Sequence, residues 1–421
     1  MNKYIWALIE SGTTVVFQFL SLIILSHLLS PFDYGVFGAM ALFISVGNIL
    51  ADSGMGAALV KKESPTDIDY STLFCFNISV SFLYYVVLFI LSSFIANFYN
   101  IEQLALCIKV YGIYVIIASF GLIQNVQLNR EFRLRELCIV TLISNFIGLF
   151  IAIIMGYWGY GYWSLIFQHL VFITSRVIFQ FLYNRYIPQI NFSIVSFKEQ
   201  FSYSVNLLGA NILNVIYSNI ASMIIPRIGT LKQNGYYIQA SKIQHIPMTI
   251  SSSIMDKVLF PILSRHQGED FLMIARKQIF HISWIAALVC LLILLLSKPL
   301  ILLLLGNEWI TTADYLQILM LASYGMIYQY VIRSVFKSKG LTISILKINL
   351  FQNVLGITIM FIASFWSVDL LLWGLVVGNL FITALYVLHA KREFNYILFN
   401  QLKDNVCMIV LFVVSFIIVV V

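Results

Sequence analysis

The chain has 421 residues, of which 61% are hydrophobic and only 10% are charged, and its formal net charge is +7. Soluble domains are about 45–50% apolar and about 25% charged. A water-soluble core of this length cannot hide so much apolar surface, so the composition excludes a soluble globular protein. It predicts an integral membrane protein whose apolar segments lie in the bilayer.

The cysteine pattern and the lack of a nucleotide-binding motif argue against several kinds of site. Five cysteines are scattered through apolar runs, with no CxxC pair and no His/Cys cluster. This pattern indicates reduced thiols and neither a disulfide framework nor a metal site. The chain also lacks a GxxxxGK[ST] phosphate loop, which argues against nucleotide hydrolysis. We therefore expect no cofactor, no metal and no enzymatic activity.

Taken in chain order, the apolar runs predict an all-α membrane protein with about 13 spans. The first begins near the N-terminus and is interpreted as a retained span, because no small-residue cleavage site follows it. An odd number of spans would place the C-terminus outside, and whether a fourteenth helix is missing stays open. The predicted limits are 10–30, 36–56, 72–97, 105–127, 137–157, 162–184, 203–226, 236–260, 279–304, 312–335, 343–366, 370–389 and 405–421.

The basic residues predict the orientation of these spans. If the N-terminus is cytoplasmic, 17 of the 25 basic residues fall in cytoplasmic connections or beside them, and only Arg227 and Lys232 fall outside. Such an asymmetry is typical of the positive-inside rule. The net positive charge therefore reflects topology, and since no basic-aromatic motif occurs, we expect no nucleic-acid partner.

Two segments of the chain repeat the same pattern. His27 lies eight residues before Gly35 in "SHLLSPFDYGVF", and Arg227 lies eight residues before Gly235 in "PRIGTLKQNGYY". Six predicted spans separate the two starts, so both halves insert with the same orientation, as in transporters built from parallel repeats. The sequence thus predicts a six-helix lobe at 1–200, a second at 201–392, and an additional transmembrane helix at 393–421.

Several motifs then show a resemblance to a known family. They are the hairpin "LLSPFDYGVFGAMALFISVGNILADSGMGAALVKKE", the basic connection "QNVQLNREFRLRELCIV" followed by "GYWGYGYWSLI", and the pair "NGYYIQASKI" and "KVLFPILSR". In order and spacing the chain resembles the polysaccharide and O-antigen flippases of the multidrug/oligosaccharidyl-lipid/polysaccharide superfamily over nearly its whole length. That family usually has two extra C-terminal helices, whereas this chain has room for one.

The resemblance implies a function in the cell inner membrane. It implies a flippase that moves an undecaprenyl-pyrophosphate-linked oligosaccharide across the bilayer by alternating access for surface polysaccharide synthesis, whether O-antigen, capsule or exopolysaccharide. A polysaccharide polymerase and a chain-length regulator are candidate protein partners.

Basic residues within the predicted spans are the candidate substrate-binding groups. A charge at the bilayer centre costs roughly 2.5–3.5 kcal/mol on insertion scales, so such groups face protein or water rather than lipid. A cationic cavity suits a pyrophosphate head group, because charge-assisted hydrogen bonds replace its lost hydration. The candidates are Arg176, Lys242, Arg227, His27, Lys257 and Arg333.

Each of these cations has a competing interpretation. Arg176 and Lys242 match basic positions of the family, but Arg176 is also a candidate for an internal ion pair. Lys257 lies near the predicted cytoplasmic end of its span, where its side chain can reach the membrane interface. Arg333 fits a group of basic residues at the cytoplasmic surface. The family usually carries Arg where this chain has His27, and only His changes charge near neutral pH. His27 is therefore a candidate pH-sensitive group or a simple hydrogen-bonded histidine.

Amides and carboxylates complete the list of candidates. Asn214 and Asn219 resemble family asparagines and either bind sugars or join helices. Glu10, Asp52 and Asp256 lie in or beside spans, where a carboxylate can carry a coupling proton or sodium ion. The competing interpretation makes these carboxylates partners of nearby basic residues or helix-end caps.

Rival functions make different demands on the sequence. A multidrug antiporter of the same superfamily would need a cavity rich in acidic residues, because its substrates are commonly cations, and the basic excess argues against it. A glycan polymerase or ligase needs large outside loops with charged catalytic groups, whereas the outside loops here are short. A scaffolding role would leave the charges within the spans unexplained. The aromatic loop "GYWGYGYW" fits an interfacial belt or a surface that stacks on sugar rings.

Overall fold

The structure is a computed structural model and describes residues 3–52, 54–255, 259–264, 266, 268–394, 396 and 398–420. The chain folds into two compact units, Met1–Gly235 and Tyr236–Val421. All regular structure in the described residues is helical, which confirms the predicted fold class. The predicted lobe limits of 1–200, 201–392 and 393–421 rest on the sequence repeat and stay a prediction.

The described part of the first unit contains nine helices and the start of a tenth. They are α1 (Lys3–Ser26), α2 (Pro31–Asp52), α3 (Met55–Lys61), α4 (Asp67–Tyr99), α5 (Glu102–Phe120), α6 (Leu122–Arg130), α7 (Leu134–Tyr157), α8 (Tyr162–Tyr183), α9 (Ile194–Ile228) and the first turn of α10 (Leu231–Ile254).

The described part of the second unit continues with the rest of α10 and eight further helices. They are α11 (Phe260–Ser264), α12 (Gly268–Leu295), α13 (Ser297–Leu304), α14 (Thr311–Ser338), α15 (Thr342–Ala363), α16 (Val368–Phe394), α17 (Leu398–Asp404) and α18 (Val406–Val420), with a short 3-10 helix at Asn307–Trp309.

Every predicted apolar run contains a helix. Among the described residues, nine helical segments are long and apolar enough to cross a membrane, and α18 and residues 12–26 of α1 are shorter apolar segments. The predicted count of about 13 spans stays a prediction. Two predicted spans, 105–127 and 279–304, are each interrupted. The first breaks at Gly121, which packs against α8, and the second breaks at Leu296, three residues before Pro299.

The starts of α2 and α10 pack in unusually close contact within the first unit. A Cβ atom on Gly35 would lie 1.9 Å from the carbonyl oxygen of Leu231, and one on Gly235 would lie 1.9 Å from the carbonyl oxygen of Pro31. The Asn234 side chain donates a hydrogen bond to the Gly35 carbonyl at 2.9 Å. The two glycines of the sequence repeat are therefore the residues that let the two backbones approach.

The same two helices begin with matching caps. The Ser30 backbone N–H donates to Oδ2 of Asp33 at 2.9 Å, and the Asp33 N–H donates back to the Ser30 hydroxyl at 3.4 Å. Thr230 and Gln233 exchange the equivalent bonds at 2.9 and 3.2 Å. Each pair is a capping box that satisfies exposed N–H groups of the first turn. The repeat thus encodes both the helix start and the close contact two residues later.

A buried carboxylate joins three elements at the opposite end of the first unit. Asp69 is the third residue of α4, and its side chain accepts hydrogen bonds from the backbone N–H and hydroxyl of Thr66. Ser196 on α9 donates to the same carboxylate, and the ammonium of Lys62 lies 3.2 Å from it. Since α4 and α9 are far apart in sequence, this cluster fixes how they pack.

In the second unit, α14 is the central helix. Leu316, Met320, Ile327, Val331 and Phe336 are completely buried along it. Its polar side chains form hydrogen bonds with neighbouring helices. The hydroxyls of Tyr324 and Ser415 are hydrogen-bonded to each other, and the Tyr328 hydroxyl donates to the side chain of Gln401. Because these polar side chains have partners within the protein, α14 can be less apolar than the nine described segments that are long and apolar enough to cross a membrane.

Candidate functional site

The first unit brings together two predicted site residues, Arg176 and Glu10. Arg176 lies on α8 and Glu10 on α1, and both side chains are half-buried. The guanidinium lies within electrostatic range of the Glu10 carboxyl, and the Thr141 side chain of α7 is within hydrogen-bonding reach of the same carboxyl. The charge in the span therefore has a carboxylate within electrostatic range, but the two side chains, both of which the structure describes, do not form a salt bridge.

Polar residues that the sequence analysis did not single out complete this site. Tyr114 on α5 also lies within electrostatic range of Arg176, and its hydroxyl is close enough to hydrogen-bond the Asn48 side chain of α2. Cys138 on α7 also lies within electrostatic range of Glu10, and the Thr13 side chain of α1 is close to the Cys138 thiol. The sequence signal that could have identified these residues is a polar side chain inside an apolar run. Helical spacing alone, however, does not show which side chains on different helices lie close together.

The predicted site residues at the ends of α1 and α9 are exposed. His27 has Nδ1 at 2.9 Å from the Ile23 carbonyl oxygen of its own helix. Arg227 places its guanidinium over the Phe98 ring, 5.3 Å from the centroid. The two residues thus share a position in the repeat but differ in what they contact.

The two asparagines on α9 differ from each other. Asn219 is half-buried and donates to the Val215 carbonyl at 2.9 Å, within the same helix. Asn214 is exposed. Asp52, the last residue of α2, is also exposed, and its side chain lies near the start of α3, where a Cβ on Gly56 would be 3.2 Å from Oδ1.

On α10, Lys242 and His245 share one surface. Both side chains are solvent-accessible although protein atoms surround them closely. That combination is typical of residues that line a concave surface. His245, one turn after Lys242, is a candidate that the sequence analysis missed. Two further predicted site residues, Asp256 and Lys257, lie outside the residues that the structure describes.

Arg333 in the second unit has an aromatic environment. Its guanidinium carbon lies 5.8 Å from the ring centroid of Tyr330 and 6.0 Å from that of Tyr386. Its Nε is buried, and no described residue accepts a hydrogen bond from it. Arg333 is therefore a cation that lies over aromatic rings, as guanidinium groups often do.

One further charge pair anchors the C-terminal helices. Arg276 on α12 donates two hydrogen bonds to Asp404 of α17, at 2.6 and 3.1 Å, and Tyr396 donates a third at 2.6 Å. Burial alone raises the pKa of Asp404, but the hydrogen bonds from Arg276 and Tyr396 outweigh it, so this pKa lies below its usual value. Burial, followed by the neighbouring carboxylate, raises the pKa of Tyr396 above its usual range.

Comparison with known proteins decides the family. A family model described as "Polysaccharide biosynthesis protein" matches residues 24–314, which include the repeat, Arg176 and Lys242. The chain belongs to the polysaccharide biosynthesis protein family. It is 26% identical over 368 residues to an uncharacterized membrane protein in the cps region of Klebsiella pneumoniae, covering 86% of this chain and 76% of that protein.

A second relative is named as a biosynthesis protein. The chain is 24% identical over 343 residues to the teichuronic acid biosynthesis protein TuaB of Bacillus subtilis, covering 80% of this chain and 70% of that protein. Like the Klebsiella protein, TuaB is longer than this chain, which spans about three quarters of each.

Solved transporter structures share the fold. The lipid II flippase MurJ in an inward closed conformation superposes with a TM-score of 0.75 at 14% identity, over 98% of this chain and 92% of that one. An inward-facing multidrug resistance transporter of the MATE family superposes with a TM-score of 0.65 at 13% identity, over 97% and 99%. These likenesses establish a multi-pass helical membrane fold of the transporter type.

Proposed function

We propose that the protein is a flippase that translocates an undecaprenyl-pyrophosphate-linked oligosaccharide from the cytoplasmic to the outer leaflet. Membership of the polysaccharide biosynthesis family over residues 24–314 carries this proposal. The protein would lie in the cell inner membrane with its N-terminus in the cytoplasm, as the distribution of basic residues predicts. A polysaccharide polymerase and a chain-length regulator are the proposed protein partners.

The charges of the candidate residues support an anionic substrate. Arg176, Arg227, Lys242 and Arg333 are cationic, whereas Glu10 and Asp52 are the only carboxylates among the described candidates. A pyrophosphate group in a low-dielectric site needs such cations, since leaving it unpaired costs several kcal/mol. Arginine in particular forms paired hydrogen bonds with phosphate oxygens.

Within this proposal the predicted residues have defined roles. Arg176, Lys242, Arg333, Arg227, His27 and Lys257 would contact the pyrophosphate or acidic sugars, and Asn214 and Asn219 would contact sugar hydroxyls. Glu10 is the proposed ion-coupling carboxylate, with Asp52 and Asp256 as further candidates. Because Glu10 lies within electrostatic range of Arg176, protonation of Glu10 would strengthen the attraction of Arg176 for a phosphate oxygen.

The alternative function is a multidrug antiporter, which the shared fold with a MATE transporter keeps open. Its substrates are commonly cations, and the excess of basic over acidic candidate residues disfavours their binding. The two functions predict different phenotypes. Loss of a drug transporter raises drug sensitivity and leaves surface polysaccharide intact.

The test is a deletion strain assayed for surface polysaccharide and for the leaflet in which lipid-linked repeat units reside. We expect repeat units to accumulate in the cytoplasmic leaflet and the wild-type gene to restore export. Arg176→Ala should fail to restore it, with at least a tenfold loss of export, and Arg176→Lys should restore it partly. Lys298→Ala is the matched control, because that lysine is exposed and 3.9 Å from its partner Asp314.

Each outcome of this test separates the two functions. Normal arrival of repeat units in the outer leaflet of the deletion strain would overturn the flippase proposal. Increased drug sensitivity with unchanged polysaccharide would establish the antiporter instead. If Arg176→Ala restores export as well as Lys298→Ala does, transport continues but Arg176 is not a substrate ligand.

A further inference from the structure

A set of strongly exposed apolar side chains lies in the connection between α8 and α9. Ile187 is 77% exposed, Ile190 is 89% exposed and Val195 is 78% exposed, and Phe192 and Ile194 are also exposed. Soluble connections rarely display large contiguous apolar patches, and such patches mark contact with a partner or a membrane. We call residues 185–195 the connecting segment.

The connecting segment is held in place, so its exposed side chains are not those of a loose tail. At its start, Asn184 is buried and donates to Gln127 at 2.6 Å, and the Tyr186 carbonyl accepts a bond from Gln124 at 3.3 Å. Near its end, the Ser193 N–H donates to Thr72 at 3.1 Å. A backbone anchored at both ends fixes the direction in which the apolar side chains project.

Inward and outward side chains alternate over residues 185–188, and residues 189–192 are all exposed. Pro188 is buried, and the centroid of the Tyr186 ring lies 5.8 Å from that of Tyr70. Ile187, which lies between them in sequence, and Ile190 are exposed. The chain thus turns Tyr186 and Pro188 towards the unit, whereas Ile187 and Ile190 lie on the outer surface beside the polar Gln189. This arrangement is the amphipathic character of segments that lie in a membrane interface.

The location of the segment identifies what covers it. It follows directly after α8, a candidate span that ends at Tyr183, and Ile178 and Leu182 on the outer face of α8 are also exposed. Exposed apolar side chains therefore occur on the last turns of the span and again in the segment that follows it, with Arg185 between them. Residues 184–198 contain two basic residues, Arg185 and Lys198, and no acidic residue. Both are exposed, as groups that meet lipid phosphates must be.

We propose that the connecting segment inserts its aliphatic side chains into the boundary between head groups and acyl chains of the bilayer leaflet at the C-terminal end of α8. Arg185 at the start of the segment and Lys198, three residues beyond it on α9, bind anionic phospholipid head groups. The segment therefore anchors the connection between α8 and α9 to the membrane surface, and the ligand is phospholipid. The proposal does not depend on which substrate the protein transports.

The test places a spin label at three sites of the full-length protein in lipid vesicles and measures collision with oxygen and with a water-soluble nickel complex. Ile190→Cys is the test site, Ile178→Cys on the exposed face of α8 is the lipid control, and Ser64→Cys in the exposed α3–α4 turn is the water control. Protein without an added cysteine gives the background from native thiols. We expect the label at residue 190 to be protected from nickel at least threefold relative to residue 64, at a depth shallower than residue 178.

A second measurement tests the basic ends of the segment. Vesicles of phosphatidylcholine alone are compared with vesicles that contain phosphatidylglycerol, and we expect the label at residue 190 to lie deeper in the anionic vesicles. Arg185→Gln with Lys198→Gln should abolish this difference. A label at residue 190 as accessible to nickel as that at residue 64 in both vesicles would overturn the proposal. Protection seen only in native membranes and not in vesicles would also overturn it, because a protein partner would then cover the segment.

Discussion

The two units hold their intramembrane arginines in different ways. In the first unit, Arg176 has the Glu10 carboxyl beside it. In the second, Arg333 lies over Tyr330 and Tyr386, and its buried Nε has no acceptor among the described residues. A carboxylate within electrostatic range and a pair of aromatic rings are different surroundings for the same charge, so we expect the two arginines to respond differently to substitution. The same residue type therefore contributes differently in the two halves.

The largest expected effect concerns the contact that only the first unit contains, between the starts of α2 and α10. Gly35→Ala would place a methyl group 1.9 Å from the Leu231 carbonyl oxygen, so the backbones must separate. We expect a loss of about 1–3 kcal/mol in the free energy of unfolding and a strong loss of transport. The measurements are the thermal unfolding midpoint of the purified protein and export of lipid-linked repeat units.

Gly209→Ala is the matched control for this change. Gly209 lies within α9, and a Cβ there would meet nothing within 4 Å. Since alanine favours a helix by up to about 1 kcal/mol over glycine, the control should leave the unfolding midpoint unchanged or raise it. Equal midpoints for Gly35→Ala and the wild type would contradict the close contact.

The second prediction uses Arg176→Met, which removes the charge but keeps a long apolar side chain. Glu10, which is half-buried, then loses the cation within its electrostatic range, and we expect a loss of about 1–2 kcal/mol in stability, less than the 3–5 kcal/mol for breaking a buried ion pair. The double variant with Glu10→Gln should recover most of the stability but not the transport. Unfolding midpoints and export of the two single variants and the double variant measure this coupling. Strictly additive losses would show that Glu10 and Arg176 do not interact.

The sequence predicted the helices and the glycine repeat but not the partners that meet in space. Apolar run length placed the helices because every span must satisfy its own backbone in lipid. The pattern Ser30-x-x-Asp33 carried a visible capping signal, yet nothing in it showed that the following Gly35 meets Leu231. Glu10 and Arg176 are separated by most of the first unit in sequence. Helical periodicity orients each side chain on its own helix only, so their proximity required the packed structure.

The third prediction concerns the charge pair that fixes the C-terminus of the second unit. Asp404→Asn removes the charge that accepts two hydrogen bonds from Arg276 and one from Tyr396. Because Arg276 is partly exposed, we expect a loss of about 1 kcal/mol, below the 1.5–3 kcal/mol of a buried charged hydrogen bond. Asp314→Asn is the control, since its pair with Lys298 is exposed and 3.9 Å apart, and surface pairs of this kind contribute little.

The pH dependence of this effect has a defined sign. The pKa of Asp404 is lower in the folded protein than its ordinary value, so the folded state favours the ionised form. Its contribution to stability is then fully present above the unfolded pKa of about 3.9 and is lost as the pH falls through the lower folded pKa. Unfolding midpoints of the wild type and Asp404→Asn should therefore converge below about pH 4. A difference that stays constant from pH 7 to pH 3 would contradict the low pKa.

The smallest expected effect on stability comes from Arg333→Met, the same substitution as in the first unit. It removes a cation stacked on Tyr330 and Tyr386, worth about 0.5–1 kcal/mol at a partly exposed site. It also removes a buried Nε–H without a described acceptor, whose loss is favourable. The two terms oppose each other, so the unfolding midpoint should change little while export falls if Arg333 binds the anionic substrate. A stability loss as large as that of Arg176→Met would mean that Arg333 has a structural partner too, and the contrast between the units would then disappear.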